Sequence, residues 1–162
     1  RCAKISKLSH ENLGIFRDMP KLERLELNFS KVTSLEGIKG CDKLDFLFIF
    51  SAPRLTNISE LNGLKKLKQL SFERCRLLTS AAMQGVQLGA LERLDARFNM
   101  ENLKFLANFP ILREFYFKYV ADGDLTPILE GKIRCCGFES RGHYSHTWSE
   151  LDALLRPKFK DT

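Results

Sequence analysis

The sequence predicts an α/β fold in which short parallel strands alternate with single-turn helical returns, stacked into one continuous array. Two observations predict it. A pattern of the form apolar-x-x-apolar-x-apolar recurs six times along the chain, its copies starting 22, 23, 24, 21 and 21 residues apart. A second apolar stripe precedes four of those copies by nine residues, with a further apolar residue three positions on. A period of 20 to 50 residues marks a stacked repeat, because one such unit cannot bury its apolar side alone.

Residues 1–20 come first. Ile5, Leu8, Leu13 and Phe16 give them an apolar side, with His10 and Asn12 nearby, which suits a partial first repeat or a helical cap over the end of the core. Residues 21–140 carry the repeats. The copies are Leu22-x-x-Leu25-x-Leu27, Leu44-x-x-Leu47-x-Ile49, Leu67-x-x-Leu70-x-Phe72, Leu91-x-x-Leu94-x-Ala96, Leu112-x-x-Phe115-x-Phe117 and Ile133-x-x-Cys136-x-Phe138. Alternation of faces along a strand turns these residues inward and their neighbours outward. The preceding stripe is Leu13, Leu35, Ile58 and Leu103, followed by Phe16, Ile38, Leu61 and Leu106. A spacing of three suits one helical or 3₁₀ turn with one buried side.

Residues 141–162 close the array. Thr147-Trp-Ser-Glu150 has the form of a capping box. Leu151, Leu154 and Leu155 continue at helical spacing and Pro157 ends the run. The expectation is a capping helix over 147–156 whose Trp148 and leucines seal the last strand. An amphipathic helix offered to a partner or a membrane is the alternative, disfavoured by the single apolar stripe. The whole chain, 1–162, reads as one domain.

These six in-register copies resemble the leucine-rich-repeat family, in particular its short 21- to 23-residue class of phosphatase-regulating and internalin-like members. The likeness covers about residues 10 to 140. It implies a solenoid with a parallel sheet on the concave face and short helical or 3₁₀ returns on the convex face. The family also places Asn or Cys shortly after each strand, tying neighbouring turns together. Here that position holds Ser30, Ala52, Cys75, Asn99, Val120 and Arg141, so only Cys75 and Asn99 match.

Function classes narrow by composition. The 162 residues are 44% hydrophobic and 28% charged, as in an ordinary soluble domain. No run approaches the roughly eighteen apolar residues of a membrane helix. Twenty-six Lys and Arg against twenty Asp and Glu leave +6, interleaved without any block of like charge. A solvated, mildly basic surface is the plain reading; an electrostatic footprint for nucleic acid or an acidic partner is the sharper one. The five cysteines, Cys2, Cys41, Cys75, Cys135 and Cys136, are odd in number, and the adjacent pair diverges on a strand. Such usage suits free thiols and a cytoplasmic location. The chain opens on Arg1, which predicts a processed or partial chain and keeps secretion as the alternative.

No nucleophile elbow, phosphate loop, dinucleotide fingerprint or H-E-x-x-H occurs, so no enzyme and no cofactor is expected. Cys135, Cys136, His143 and His146 have a passing likeness to a zinc site but contain no C-x2-C pair. Asp122-Gly-Asp124 begins like a calcium loop but lacks the later ligands; it reads as a turn, with Gly123 free to take positive φ.

The candidate site is the outward face of the strands. Most of its rows are polar, but the second is Phe46, Phe48 and Phe50. Leu47 and Ile49 take the core slots, so alternation sends the three rings outward. Exposed aromatic patches mark interaction sites, with Arg as a frequent companion. Arg93, Asp95 and Arg97 follow two rows on, and Tyr116 one row further. The competing reading is that the N-terminal cap covers the row, or that register slips near Pro53. The expected function is a non-catalytic protein-binding module: an adaptor, a regulatory subunit or a toxin-masking immunity protein. A nucleic-acid or ribonucleoprotein component, or a targeting fragment of a larger enzyme, is the alternative. No membrane and no small-molecule substrate is expected.

Overall fold

In the computed structural model, which describes residues 1–159, seven strands form one open, all-parallel sheet in strict chain order. They are β1 (Cys2–Ser6), β2 (Arg24–Asn28), β3 (Phe46–Phe50), β4 (Gln69–Glu73), β5 (Arg93–Met100), β6 (Glu114–Val120) and β7 (Cys135–Gly137). Parallel neighbours need a crossover of a dozen or more residues. Here each crossover carries a short helical turn. The turns are Gly14–Phe16, Ile38–Gly40, Ser59–Gly63 and Lys104–Asn108 as 3₁₀ helix, with α1 (Ser80–Gln84) and α2 (Pro127–Glu130) as α-helix. The arrangement is a solenoid-like α/β stack. The longest of the 21- to 24-residue spacings, between Leu67 and Leu91, holds α1.

The inward residues behave as alternation requires. Leu25, Leu27, Leu47, Ile49, Leu70, Phe72, Leu94, Ala96, Phe115 and Phe117 are buried, and so are the returns' Leu13, Phe16, Leu35, Ile38, Ile58, Leu61, Leu103 and Leu106. One contiguous cluster of buried side chains runs from Leu8 to Leu155. Each fully buried aliphatic or aromatic side chain contributes about 1.5–3 kcal/mol relative to exposure. Residues 1–20 add one more strand and one more turn to the stack. Cys2–Ser6 pairs with Arg24–Asn28, and Gly14–Phe16 forms the turn that follows.

The residue after each of the first four strands takes a left-handed backbone: Lys7, Phe29, Ser51 and Arg74 have φ of 60°, 54°, 59° and 55°. That sharp turn drops the next residue back into the core, so Ser30, Ala52 and Cys75 are buried. In β5 the strand continues instead, with an irregularity between Ala96 and Asn99. Asn99 is therefore exposed and Met100 takes the buried place beside Val120. The expected match at Asn99 is corrected: extended alternation through Phe98 and Met100 turns the amide to solvent. The Ser30 hydroxyl is also buried without a hydrogen-bond partner among the described residues.

Besides the Cys75 thiol, which donates to the Ile49 carbonyl at 4.0 Å, polar ties between turns come from the returns. Glu60 accepts from the Gly37 N–H at 2.6 Å, and Glu101 from the Ser80 N–H at 3.0 Å. Asn62 donates to the Gly85 carbonyl at 3.0 Å and accepts from the Gln87 N–H at 2.7 Å. Asn108 donates to the Gln84 carbonyl at 2.9 Å. At Gly37 (φ 101°) an added Cβ would lie 2.6 Å from the Leu13 carbonyl oxygen, so packing of successive turns requires glycine there.

The C-terminal helix α3 (Trp148–Leu155) has the expected capping box, with Thr147 and Glu150 each accepting from the other's backbone N–H. What seals the stack differs from expectation. Leu151 and Leu155 are buried, but Trp148 is 48% and Leu154 50% exposed. The place beside the last strand is taken by Tyr144, whose ring lies 6.3 Å from Phe117 and 5.7 Å from Phe138. Only the i, i+4 pair of α3 then has core left to cover. Of the 141–162 segment, residues 160–162 lie outside the described residues. Gly123 has φ 72°, as its turn requires, and the Ser145 N–H donates to its carbonyl at 2.8 Å. Among the described residues no helix is long and apolar enough to cross a membrane.

Candidate functional site

The register aligns the outward residues into columns. One column runs Arg24, Phe46, Gln69, Arg93, Glu114, Cys135; the next runs Glu26, Phe48, Ser71, Asp95, Tyr116, Gly137; a third runs Asn28, Phe50, Glu73, Arg97. With parallel strands about 4.8 Å apart, the Phe row stands about 10 Å from the Arg93 row. The predicted residues Phe46, Phe48, Phe50, Arg93, Asp95, Arg97 and Tyr116 therefore share one face.

Phe46, Phe48 and Phe50 are half-buried, while Leu47 and Ile49 behind them are wholly buried. β1 lies beside β2 in the sheet and leaves the row open, and the register of β3 runs unbroken to Phe50, so neither the cap nor a slip near Pro53 intervenes. The rings lean on each other: Phe48 and Phe50 stack at 6.4 Å, and Phe29 meets Phe50 edge-on at 5.2 Å. Phe29, 55% exposed, extends the strip beyond the strand. Strand alternation ends at Asn28 and does not place Phe29; the left-handed turn there brings its ring onto the face.

Guanidinium groups cover several rings. Arg24 lies 3.8 Å from the Phe46 centroid, Arg74 5.1 Å from Phe50 and Arg93 4.7 Å from Tyr116. Such contacts contribute about 0.5–1 kcal/mol at exposed sites. Arg74 is a second residue that strand alternation did not reach.

Between the Phe row and the Arg93 row the face sinks. β4 offers only Gln69 and Ser71 there, leaving a depression of about 270 Å³ floored by Leu70 and walled by Phe46, Phe48, Arg93 and Asp95. The charged residues of this face pair among themselves. Arg93 bonds Glu114 at 2.8 Å, Arg97 bonds Asp95 at 2.9 Å and Lys4 bonds Glu26 at 2.9 Å. The Tyr116 hydroxyl lies 3.6 Å from the Cys135 sulfur and 3.4 Å from Glu114. The thiol contact first, then burial, pushes that hydroxyl up to about 12, so it stays protonated and can donate.

The other candidate ligands do not converge. Cys135 is exposed and Cys136 buried on the opposite side, as alternation requires. His143 uses Nε2 on the Val120 carbonyl at 3.0 Å, and His146 uses Nδ1 on Ser145 at 2.9 Å. Asp122 and Asp124 accept from Asp124 and Thr126 N–H groups within their own turn. Among the described residues no group of three or more His, Cys, Asp or Glu is placed to hold a metal ion.

No family model matches the sequence. The chain is similar to cilia- and flagella-associated protein 410 of mouse (Mus musculus), with 29% identity over 128 residues. That alignment takes in 77% of this chain and 49% of the mouse protein, so the chain spans about half the length of the relative it matches.

Proposed function

We propose that the chain is a non-catalytic leucine-rich-repeat module that holds another protein on its strand face. Phe46, Phe48 and Phe50 form the apolar centre of the site, with Arg93, Asp95, Arg97 and Tyr116 beside it. The observation that carries this reading is the aromatic row on the open side of a sheet whose core positions Leu47 and Ile49 already fill. Phe29 and the depression over Leu70 add an exposed ring and a recess for a partner's side chain. Aromatic and Arg residues around a recess are the usual anchors of protein interfaces. The leucine-rich-repeat assignment is supported by six in-register copies stacked on a parallel sheet.

The mouse relative's name describes association with cilia and flagella. Components of those assemblies are therefore the first class of partner to test, with the cytoplasm as the proposed location. The two exposed thiols, Cys2 and Cys135, fit a reducing compartment.

The test is affinity capture from ciliated cells with the wild type and a Phe46→Ser, Phe48→Ser, Phe50→Ser triple variant, each with and without nuclease. Proteins retained by the wild type after nuclease and lost by the folded triple variant are the expected result. Equal retention by both would overturn the site. Loss on nuclease treatment would move the reading to nucleic acid.

A further inference from the structure

Beside the aromatic strip, the C-terminal ends of β4 to β7 enclose a groove of about 880 Å³ whose walls include Arg74, Arg76, Arg97, Tyr116, Lys118 and Glu139. Its charges do not cancel. Arg97 is already held by Asp95, and Glu139 by Arg141 at 2.8 Å. Arg76 and Lys118 are exposed and form no ion pair among the described residues. Arg74 turns over the Phe50 ring rather than onto a carboxylate. Against these three cations the groove sets one carboxylate free of ion pairing, Glu73. Like charges gathered on a concave surface raise the local potential and draw anions. The groove meets the strip where Arg74 crosses Phe50, so an anion bound there lies next to apolar surface.

We infer that this groove takes an acidic stretch of extended polypeptide, its carboxylates on Arg76 and Lys118 and a neighbouring apolar side chain against Phe50 and Phe29. The inference specifies the partner's chemistry, and so rests on the reading of the strand face as a protein-binding site. Polypeptide rather than nucleic acid follows from the rings. Single strands bind by stacking bases on open aromatic faces, but Phe46, Phe50 and Tyr116 each carry a guanidinium, and Phe48 stacks on Phe50. Fewer open ring faces are left for bases, while the exposed Phe29 ring and the apolar flank of the strip suit Leu or Phe side chains.

The experiment uses fluorescein-labelled decapeptide pools in anisotropy titrations against the intact chain. One pool mixes Asp and Glu with Leu and Phe; a second replaces the acids with Asn and Gln; a third carries Lys and Arg. A single-stranded ten-nucleotide DNA is the fourth probe. The expected result is that the acidic pool binds at least about tenfold tighter than the amide pool and weakens as salt rises. An Arg76→Glu, Lys118→Glu double variant, both positions on the surface, should lose about tenfold for the acidic pool with an unchanged melting curve. Equal binding of the acidic and amide pools, no binding by any pool, or tighter binding of the DNA with the same sensitivity to the double variant, would each overturn the inference. A captured protein that is lost with the Phe triple variant but kept by the double variant would leave the strand-face reading standing while the acidic-partner inference fell.

Discussion

Ser80 and Glu101 clamp each other across 21 residues: the Ser80 N–H and hydroxyl both donate to one Glu101 carboxylate oxygen, and the Glu101 N–H donates back to the Ser80 hydroxyl at 3.2 Å. Ser80 opens α1 and Glu101 follows β5, so the pair ties the start of one return to the start of the next. The Ser80 hydroxyl holds the Glu101 carboxyl below its ordinary value of 4.5. A carboxylate with a depressed native pKa stabilises the fold above its unfolded value, and loses that contribution as pH falls through the native one. Glu101→Gln should therefore lower the melting temperature at neutral pH, and the gap from the wild type should close as pH drops below 4.5. A gap that stays constant with pH would show that the charge is not what the clamp uses.

Leu70 is central, buried, and floors the depression on the strand face. Leu70→Ala should cost about 2–5 kcal/mol. Because each turn is supported only by its neighbours, the loss should melt several repeats together. Denaturant titration and hydrogen exchange on β3, β4 and β5 report this; a loss below about 1 kcal/mol would contradict the packing.

Phe48 is half-buried and stacks on Phe50. Its removal therefore costs more than a bare surface change, about 1 kcal/mol from the lost ring pair. Phe48→Ser should nonetheless weaken partner binding by about 2 kcal/mol or more. Calorimetry with a captured partner decides it, and a stability loss as large as that of Leu70→Ala would place the ring in the core instead.

The C-terminal seal separates two neighbouring residues. Trp148→Ala should stay within about 0.5 kcal/mol, as an exposed position does, whereas Leu151→Ala should cost about 2–5 kcal/mol. Paired thermal melts compare the two directly, and a larger effect at Trp148 would reverse the assignment.

Thiol chemistry should divide the five cysteines. Burial pushes the Cys41, Cys75 and Cys136 thiols up to about 11, while Cys2 and Cys135 are exposed. The thiolate is the reactive form, so at pH 8 a thiol reagent should label Cys2 and Cys135 quickly, and the other three only in denaturant. Peptide mapping after short exposure gives the pattern; rapid labelling of Cys136 would mean that β7 frays.

Much of this architecture is readable from local pattern. Leu25, Leu47, Leu70 and Leu94 repeat at nearly constant spacing, and alternation then decides the facing of every strand residue between them, including Phe46, Phe48 and Phe50. The period of two and the period of the repeat are properties of the backbone, so they survive without knowledge of what touches what. Thr147 and Glu150 were legible for the same reason, since a capping box closes within four residues.

Contacts between turns were not legible. Phe29 joins the strip because its backbone turns left-handed, a choice shared with Lys7, Ser51 and Arg74 that no common side-chain chemistry announces. Asn99 leaves the buried ladder because β5 runs on to Met100, and the ties fall instead to Glu60, Asn62, Glu101 and Asn108 on the returns. Trp148 yields the end of the core to Tyr144, which reaches Phe117 and Phe138 from a segment with no periodicity of its own. The repeat, the strand faces and the aromatic row follow from spacing along one chain. Which rings receive a guanidinium, where the face sinks into a groove, and which residue seals the end were decided only by the stacked turns. Those outcomes depend on distances between residues twenty or more positions apart, which spacing along the chain does not encode.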